Sequence, residues 1–553
     1  MADFKEAIIE FLKKETQLEN INLEVPPNPE MGDFAFPCFT LAKEWKKSPN
    51  DIAADLASRF KPDGLIREVK VIGPYLNFFV NKGRAAEEII KEIMKKKEKF
   101  GSNRIGKGKK ILLEHTSINP NASPHVGRSR NALIGDSIKR LLKFQEYKVE
   151  THYFVNDVGK QIAMLVLGAE GKKKVAFDDL LKIYIEINQK TEQNPELEKE
   201  ALELLNRLEK GDKKIKKKFD KIVSTCIKGQ VKILSELDIK YDFFDYESKF
   251  LWNKKTEESL KRLEKTGKLF IDGFNRWVLD QKGYGLGMKV PVLVLTRADG
   301  TSLYPLRDIA YNIEKAKKGE NIVVLGEDQK LYQEQIAAVM KELELKPPRV
   351  VHYSFILLQE GKMSTRKGNL VLLEDFMEEA LKKSSEELRK RYNKADEKSA
   401  KAIAYGAIKF GILKVSPEKN VVFDWEQALS FEGETSPYIQ YAYARISSII
   451  RKNKKSFSKA DLALLKEKEE SELITLLSNF PEVIEKSTIE LKPHLLANYL
   501  YSLAQKLNEY YHAHQILKAE EKTKNARLLL ISSVRQVLKN GLNLLGIDVL
   551  ERM

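Results

Sequence analysis

"ILLEHTSINPNASPHVGRSRNALIGDS", residues 111–137, decides the fold. An apolar run at Ile111–Leu113 gives way to polar residues, then to a loop rich in Asn, Pro and Ser, then to a stretch with the apolar spacing of an amphipathic helix. Strand, loop and helix in that order are how parallel α/β sheets place ligands at helix N-termini, where unpaired N–H groups and a partial positive charge face outward. The helix opens on an imidazole, a glycine and a guanidinium: His125, Gly127 and Arg128. Positions 125 and 128 share one face of the first turn, and Gly127 puts no side chain in the way of a ligand.

Outward from this stretch, residues 1–105 alternate helical segments with short apolar strands such as "EVKVIGPYLNFFV" (68–80), broken at Gly73-Pro74, and read as an α+β domain. Residues 106–400 read as a Rossmann-type parallel-sheet domain with a long, charged helical insertion at about 160–290. Asp299-Gly300 separates two apolar runs as a hairpin turn feeding a helix near Pro305. "NIVVLGEDQ" (321–329) reads as a buried strand, and "YSFILLQEGKMSTRKGNLVLLEDF" (353–376) as two strands around a basic, glycine-containing loop. Residues 401–553 are helical and rich in Leu, Ala and Tyr. The fold class is therefore multidomain α/β.

The composition bounds the function. A chain of 553 residues with 42% hydrophobic and 32% charged residues is long enough for several cores. No apolar run approaches the ~18 residues needed to cross a bilayer. The N-terminal "MADFKEAIIEFLKKE" has a helical period and no signal-peptide core, which predicts a cytoplasmic protein without membrane partners. Cys38 and Cys226 stand far apart in no metal-spaced pair and read as packing residues. A net charge of +16 and a pI near 9.2 favour a polyanionic partner. The runs "KKKEK" (95–99) and "KKIKKK" (213–218) read more simply as solvated helix faces.

"PHVGR" (124–128) and "GKMSTRKGN" (361–369) resemble the two signature motifs of class I aminoacyl-tRNA synthetases, His-x-Gly-His and Lys-Met-Ser-Lys-Ser, in the expected order. "EMGDFAFPCFTLAKEWKKSPNDIA" (30–53), "SFEGETSPYIQYAYARISSIIRK" (430–452) and "SVRQVLKNGLNLLGIDVLERM" (533–553) are similar to the terminal domains of the arginyl branch, so the resemblance covers nearly the whole chain.

That resemblance implies an ATP-dependent ligase of protein synthesis, which activates L-arginine as the adenylate, expels pyrophosphate and passes the acyl group to the 3′-terminal adenosine of tRNA(Arg). It implies ATP with Mg2+, no metal held by the protein alone, and a monomer. By match to the motifs, Pro124, His125, Gly127, Arg128, Lys362, Met363 and Ser364 take the nucleotide. His125, Arg128, Lys362, Ser364, Arg366 and Lys367 are the catalytic candidates. Arg128 stands where the class has its second histidine, and Thr365 where it has its second lysine, which transfers that charge to Arg366 or Lys367. Tyr304 and Asp308 match positions that hold the substrate guanidinium, Asn119 and Glu114 those near its α-amino group, and Gln329 a further substrate position. A carboxylate suits this task because it meets the guanidinium fork two donors at a time.

The implied N-terminal domain (1–105) contacts tRNA, and the C-terminal domain (401–553) reads the anticodon. Some of the tyrosines in "YIQYAYAR" (438–445) and "NEYYHAHQ" (508–515) are expected to stack on bases, and the larger share to pack helix on helix. Two rival readings are a same-fold enzyme that adenylates another substrate and a non-catalytic tRNA-binding paralogue in which Arg128 marks a lost site.

Overall fold

The structure, a computed structural model, describes residues 2–26, 28, 31–62, 65–358, 371–393, 396–453, 455–457 and 460–553. At the N-terminal end the strands β1 (Phe34–Pro37), β2 (Ile66–Ile72) and β3 (Tyr75–Val80) form an antiparallel sheet in the order β1-β3-β2. Helices Ala2–Thr16 and Pro49–Arg59 pack on it through Phe4, Ile8, Leu12, Ile52 and Leu56, forming a core of its own with Phe78 and Val80. Gly73 adopts φ +57 between β2 and β3, the turn that the Gly-Pro break anticipates.

The next helix, Lys82–Lys96, leaves that sheet and joins the core of the C-terminal helices. Phe100 stacks on Phe480 at 5.9 Å, and Asn540 Nδ2 donates to the Lys97 and Phe100 carbonyls at 2.9 and 3.2 Å. Gly101, at φ +105, leaves room for this contact, since a Cβ there would lie 2.5 Å from the Phe480 ring.

The central sheet is parallel. Its strands are β4 (Lys110–Glu114), β5 (Lys148–Val155), β6 (Phe243–Tyr246), β10 (Glu320–Gly326) and β11 (Arg349–Tyr353), in the order β11-β10-β4-β5-β6. Strands such as "KILLE" and "ENIVVLG" are nearly continuous apolar runs because both faces of a parallel sheet are covered. From β4 the chain moves outward through β5 to β6, then returns to place β10 on the other side of β4. The strand order reverses between β4 and β10, and in open α/β sheets ligands bind at the carboxyl ends of the strands at such a reversal.

Between β5 and β6 lies the helical insertion: Lys160–Gly168, Asp179–Gln193, Glu196–Glu209 and Lys213–Glu236, packed around Leu165, Ile183, Phe219 and Ile222. A small antiparallel sheet of β7 (Leu269–Ile271), β8 (Trp277–Asp280) and β9 (Val292–Val294) follows. The Asp299-Gly300 turn is closed by Arg297 N donating to Thr301 O at 2.9 Å, and helix Tyr304–Ala316 begins just beyond it.

One expectation needs correction. Among its described residues the apolar run after the basic loop forms no strand: Leu372 makes an isolated bridge with His125, and a helix runs from Leu373 to Tyr392. Leu373, Phe376, Met377 and Ala380 follow the helical period, and Glu374 and Asp375 favour the positive end of the dipole.

Helices Glu397–Leu413, Ser436–Lys452, Lys468–Ile489, Pro493–Ala513 and Glu521–Leu544 make up most of the rest, with a short parallel pair of strands, Ile356–Leu358 and Val421–Phe423. Among the described residues no helix is long and apolar enough to cross a membrane. Cys38 and Cys226 are buried free thiols.

Candidate active site

The loop from β4 to the signature helix is built under constraint. Thr116 and Ser117 both take positive φ, +74 and +44, which non-glycine residues adopt at a cost of ~1–3 kcal/mol each and only when their surroundings hold them there. Here they do. Asn131 Oδ1 accepts from Thr116 N at 2.6 Å, Tyr241 donates to Thr116 Oγ1 at 2.7 Å, and Ser117 Oγ accepts from Phe154 N at 3.2 Å. Asn131 also donates to Val324 O at 2.7 Å, so one side chain joins the ends of β4 and β10 where the strand order reverses.

The signature helix runs from Val126 to Phe144 with His125 as its N-cap, extended at φ −90 and ψ 158. The His125 ring folds back over Gly127, where an added Cβ would sit 3.1 Å from Cε1 and Nδ1. Glycine is needed here for the imidazole as much as for any ligand. Burial, reinforced by the Arg128 cation, pushes the His125 pKa down to about 4, so the ring is neutral near pH 7. Arg128 is exposed in the first turn, with no side-chain hydrogen bond or ion pair among the described residues. Pro124 is buried beside them.

Lys362, Met363, Ser364, Arg366 and Lys367 lie outside the described residues. The chain directly after them does not. Val126 N donates to Val371 O at 2.9 Å, Leu373 N to Pro124 O at 2.7 Å, and Ser123 Oγ to Glu374. The first motif is thus pinned by its backbone to the residues that follow the second. On the other side, buried Arg130 donates to the carbonyls of Ser354, Phe355 and Ser416 at 2.6, 3.4 and 2.9 Å, fixing the chain beyond β11.

A polar cluster occupies the same edge. Asp308 and Tyr304 lie one turn apart on helix Tyr304–Ala316. Asp308 accepts from Tyr332 Oη at 2.8 Å and from Asn312 Nδ2 at 2.9 Å, and the Tyr304 and Tyr332 rings lie 5.0 Å apart. Burial raises the Asp308 pKa to about 7, with the charges of Glu114 and Glu247 adding to the rise against Tyr332 and Lys315. Burial, then Asp308, raises that of Tyr304. Glu114 is buried against Lys315 at 2.8 Å, and Arg307 holds the helix to Glu247 at 2.6 Å. Asn119 is half-buried in the loop after β4, its amide 3.2 Å from Gln161 Oε1 and its carbonyl accepting from Gln230 at 3.0 Å. Gln329 is exposed beyond the end of β10 and hydrogen-bonded to Asp328.

The described site residues therefore gather at the carboxyl edge of β4 and β10 and on the helix beside it. Sequence reasoning missed Arg130, Asn131, Tyr332 and Lys315. Arg130 left a trace, a charged residue on the inward stripe of Val126, Leu133 and Ile134. Tyr332 left none, since its partner is 24 residues away.

This geometry is that of a known family. The descriptions "tRNA synthetases class I (R), catalytic domain", "DALR anticodon binding domain" and "Arginyl tRNA synthetase N terminal domain" match residues 89–425, 439–553 and 2–80. The arginine–tRNA ligase of Methanocaldococcus jannaschii is 40% identical over all of both chains. The chain belongs to the arginyl-tRNA synthetases. An arginine–tRNA ligase of Methanothermobacter thermautotrophicus is 38% identical over 96% of this chain and 95% of its own. The Thermus thermophilus arginyl-tRNA synthetase structure matches with a TM-score of 0.84 and 28% identity over the full length of both. The arginyl-tRNA synthetase scaffold accounts for the three-part architecture, and the chain is a ligase of class I type.

Proposed function

We propose that the chain charges tRNA(Arg) with L-arginine at this edge of the sheet, with the following division of labour. Asp308, flanked by the Tyr304 and Tyr332 rings, takes the guanidinium, while Glu114 and Asn119 face the α-amino end and Gln329 closes the rim. The arginine carboxylate attacks the α-phosphate of ATP and pyrophosphate leaves. Neutral His125 hydrogen-bonds the nucleotide, and Arg128, unengaged by any described residue, supplies fixed positive charge toward the phosphates. Lys362, Ser364 and Arg366 or Lys367 offset the charge growing on the leaving group. The 3′-terminal adenosine hydroxyl then attacks the activated carbonyl and AMP departs.

Class I synthetases use ATP and typically Mg2+. Among the described residues no three His, Cys, Asp or Glu side chains form a cluster that could hold a metal, so Mg2+ fits here as part of the MgATP substrate, held mainly by phosphate oxygens.

We also assign residues 1–105 to tRNA contact, 106–400 to catalysis and 401–553 to the anticodon, in a cytoplasmic monomer. In the last of these, Arg445 lies between the Tyr441 and Tyr511 rings at 4.6 and 4.7 Å, with Tyr511 exposed, a surface suited to stacking bases. Tyr443 and Tyr510 are buried and pack helices.

The observation that carries this reading is the backbone pairing of Pro124 and Val126 with Val371 and Leu373, which supports bringing both signature motifs to one nucleotide. The test is incorporation of labelled arginine into total tRNA with and without ATP. ATP-dependent arginine charging is expected; charging with another amino acid, or none, overturns the reading.

A further inference from the structure

The helix Lys213–Glu236 of the insertion carries a charge pattern that catalysis leaves unused. Its buried side is strictly apolar apart from Gln230: Ile215, Phe219, Ile222, Val223, Cys226, Ile227 and Leu234. On the opposite side Lys214, Lys217, Lys218, Lys221, Lys228 and Lys232 are all exposed and fall within about 100° of arc, given 3.6 residues per turn. They run about 27 Å along the axis at 1.5 Å per residue, and between Lys214 and Lys232 the arc holds no acidic residue; the first acid on it, Glu236 at the end of the helix, pairs with Lys401.

A solvated face is the ordinary reading of such a run, and elsewhere this chain shows what its solvated faces look like. Lys91, Lys96, Arg59, Lys383 and Arg391 each pair with an acid one turn away on their own helix. Along the lysine stripe no such pair exists among the described residues. Its one ion pair is Lys218 with Glu170 at 2.5 Å, from the neighbouring segment, and that contact brings exposed Lys172, Lys173 and Lys174 beside the start of the stripe. Uncompensated like charges repel one another, a cost that a polyanion removes.

The buried side of the same helix reaches the catalytic loop. Gln230 Nε2 donates to the carbonyls of Asn119 and Ala122 at 3.0 and 2.8 Å, and its Oε1 accepts from Tyr153 Oη at 2.9 Å. The stripe thus stands one helix thickness, ~10 Å, from the residues that lead into His125.

We infer that the lysine stripe of Lys213–Glu236 binds the sugar–phosphate backbone of the tRNA acceptor limb and sets the distance at which the 3′ end reaches the site. This rests on the proposed charging of tRNA. Lysines spaced one or two turns apart along one helix face can each meet a phosphate as a point charge without reading bases, so the contact is insensitive to sequence and sensitive to salt.

The test is the quadruple variant Lys214→Gln, Lys217→Gln, Lys221→Gln, Lys228→Gln, all exposed and outside the catalytic set. Its melting temperature and its KM for arginine and ATP should match the wild type. KM for tRNA should rise about tenfold or more near 0.1 M salt, and the slope of log affinity against log salt should flatten by about three to four. Filter binding of an acceptor–T-stem duplex should be lost and that of an anticodon stem-loop kept. An unchanged KM and slope, or equal loss on both RNA fragments, overturns the stripe while leaving the enzyme's function standing. A wild type that charges no tRNA with arginine overturns the reading beneath it.

Discussion

Asp308 is a carboxyl whose charge is costly until a cation arrives. Its pKa, raised to about 7, exceeds the ~3.9 of an unfolded aspartate, so the unliganded fold holds this proton more tightly than the unfolded chain does. The sign follows: the empty protein loses stability as pH rises from about 4 through about 7, and a guanidinium that pairs with the carboxylate restores it. Saturating arginine should therefore raise the melting temperature more at pH 8 than at pH 6. KM for arginine should climb up to tenfold per pH unit below about 7, as expected for binding coupled to one proton. Asp308→Asn should abolish both trends, cost roughly 30- to 1000-fold in kcat/KM for arginine through loss of a charge-assisted contact, and leave the empty protein at least as stable at pH 8. A variant that unfolds, or uses arginine normally, would return Asp308 to a structural role. Arg128 makes a different demand, because its side chain has no hydrogen bond or ion pair among the described residues. Arg128→Ala should keep the melting temperature and lower kcat for activation by about 10- to 1000-fold, as for loss of one transition-state contact, and Arg128→His should recover part of that. An alanine variant with full activity would remove Arg128 from the mechanism.

At the scale of elements, the reversal between β4 and β10 depends on Asn131, whose amide satisfies Thr116 N and Val324 O at once. Asn131→Ala leaves two buried backbone groups unpaired, at about 1–3 kcal/mol each, and frees Thr116, at positive φ, from one of its two restraints. Chemical denaturation should show a loss of about 2–5 kcal/mol, with a fall in kcat exceeding the fall in folded fraction. Equal stability with unaltered kcat would refute the bridging role. The elements themselves were largely legible. Apolar runs and the Gly-Pro and Asp-Gly breaks located β2, β3, β4 and β10 and the hairpin before Tyr304, because those signals act within a few residues. The strand expected after the basic loop failed because "LVLLE" fits either period until Phe376 and Met377 extend it. Asp308, Tyr304, Glu114 and Asn119 were reached through the resemblance. Tyr332, Lys315 and Gln230 were not, since their roles arise from contacts made across the fold, which local patterns do not encode.

At the scale of the molecule, the catalytic and C-terminal parts meet along the signature helix. Ser137 Oγ donates to Leu544 O at 3.1 Å and Arg140 to Asn543 O at 3.3 Å, while Lys409, its pKa pushed down to about 8 by burial, donates to Gly546 O beside the Asp136–Arg140 pair. Beyond Gly546, Gln440 donates to Asp548 O at 2.8 Å, and Tyr443 and Arg451 to Glu551 at 2.7 and 2.8 Å. Removing residues 547–553 should lower the melting temperature and slow arginine activation, although none of these residues lies near His125. An activation rate unchanged by the deletion would show the junction to be mechanically silent. The order of synthesis gives this junction a further meaning. Residues 543–551 leave the ribosome after every element they join, and domains fold as they emerge. Until they arrive, Asp136 and Arg140 of the signature helix and Lys409 of helix Glu397–Leu413 stand in water, charges that the completed fold buries or half-buries. The sheet and the N-terminal end of the signature helix, held by Asn131 to β10 and by Val126 to Val371, can assemble early, but the C-terminal half of that helix is covered last, so an interrupted chain would fold in part and activate arginine slowly.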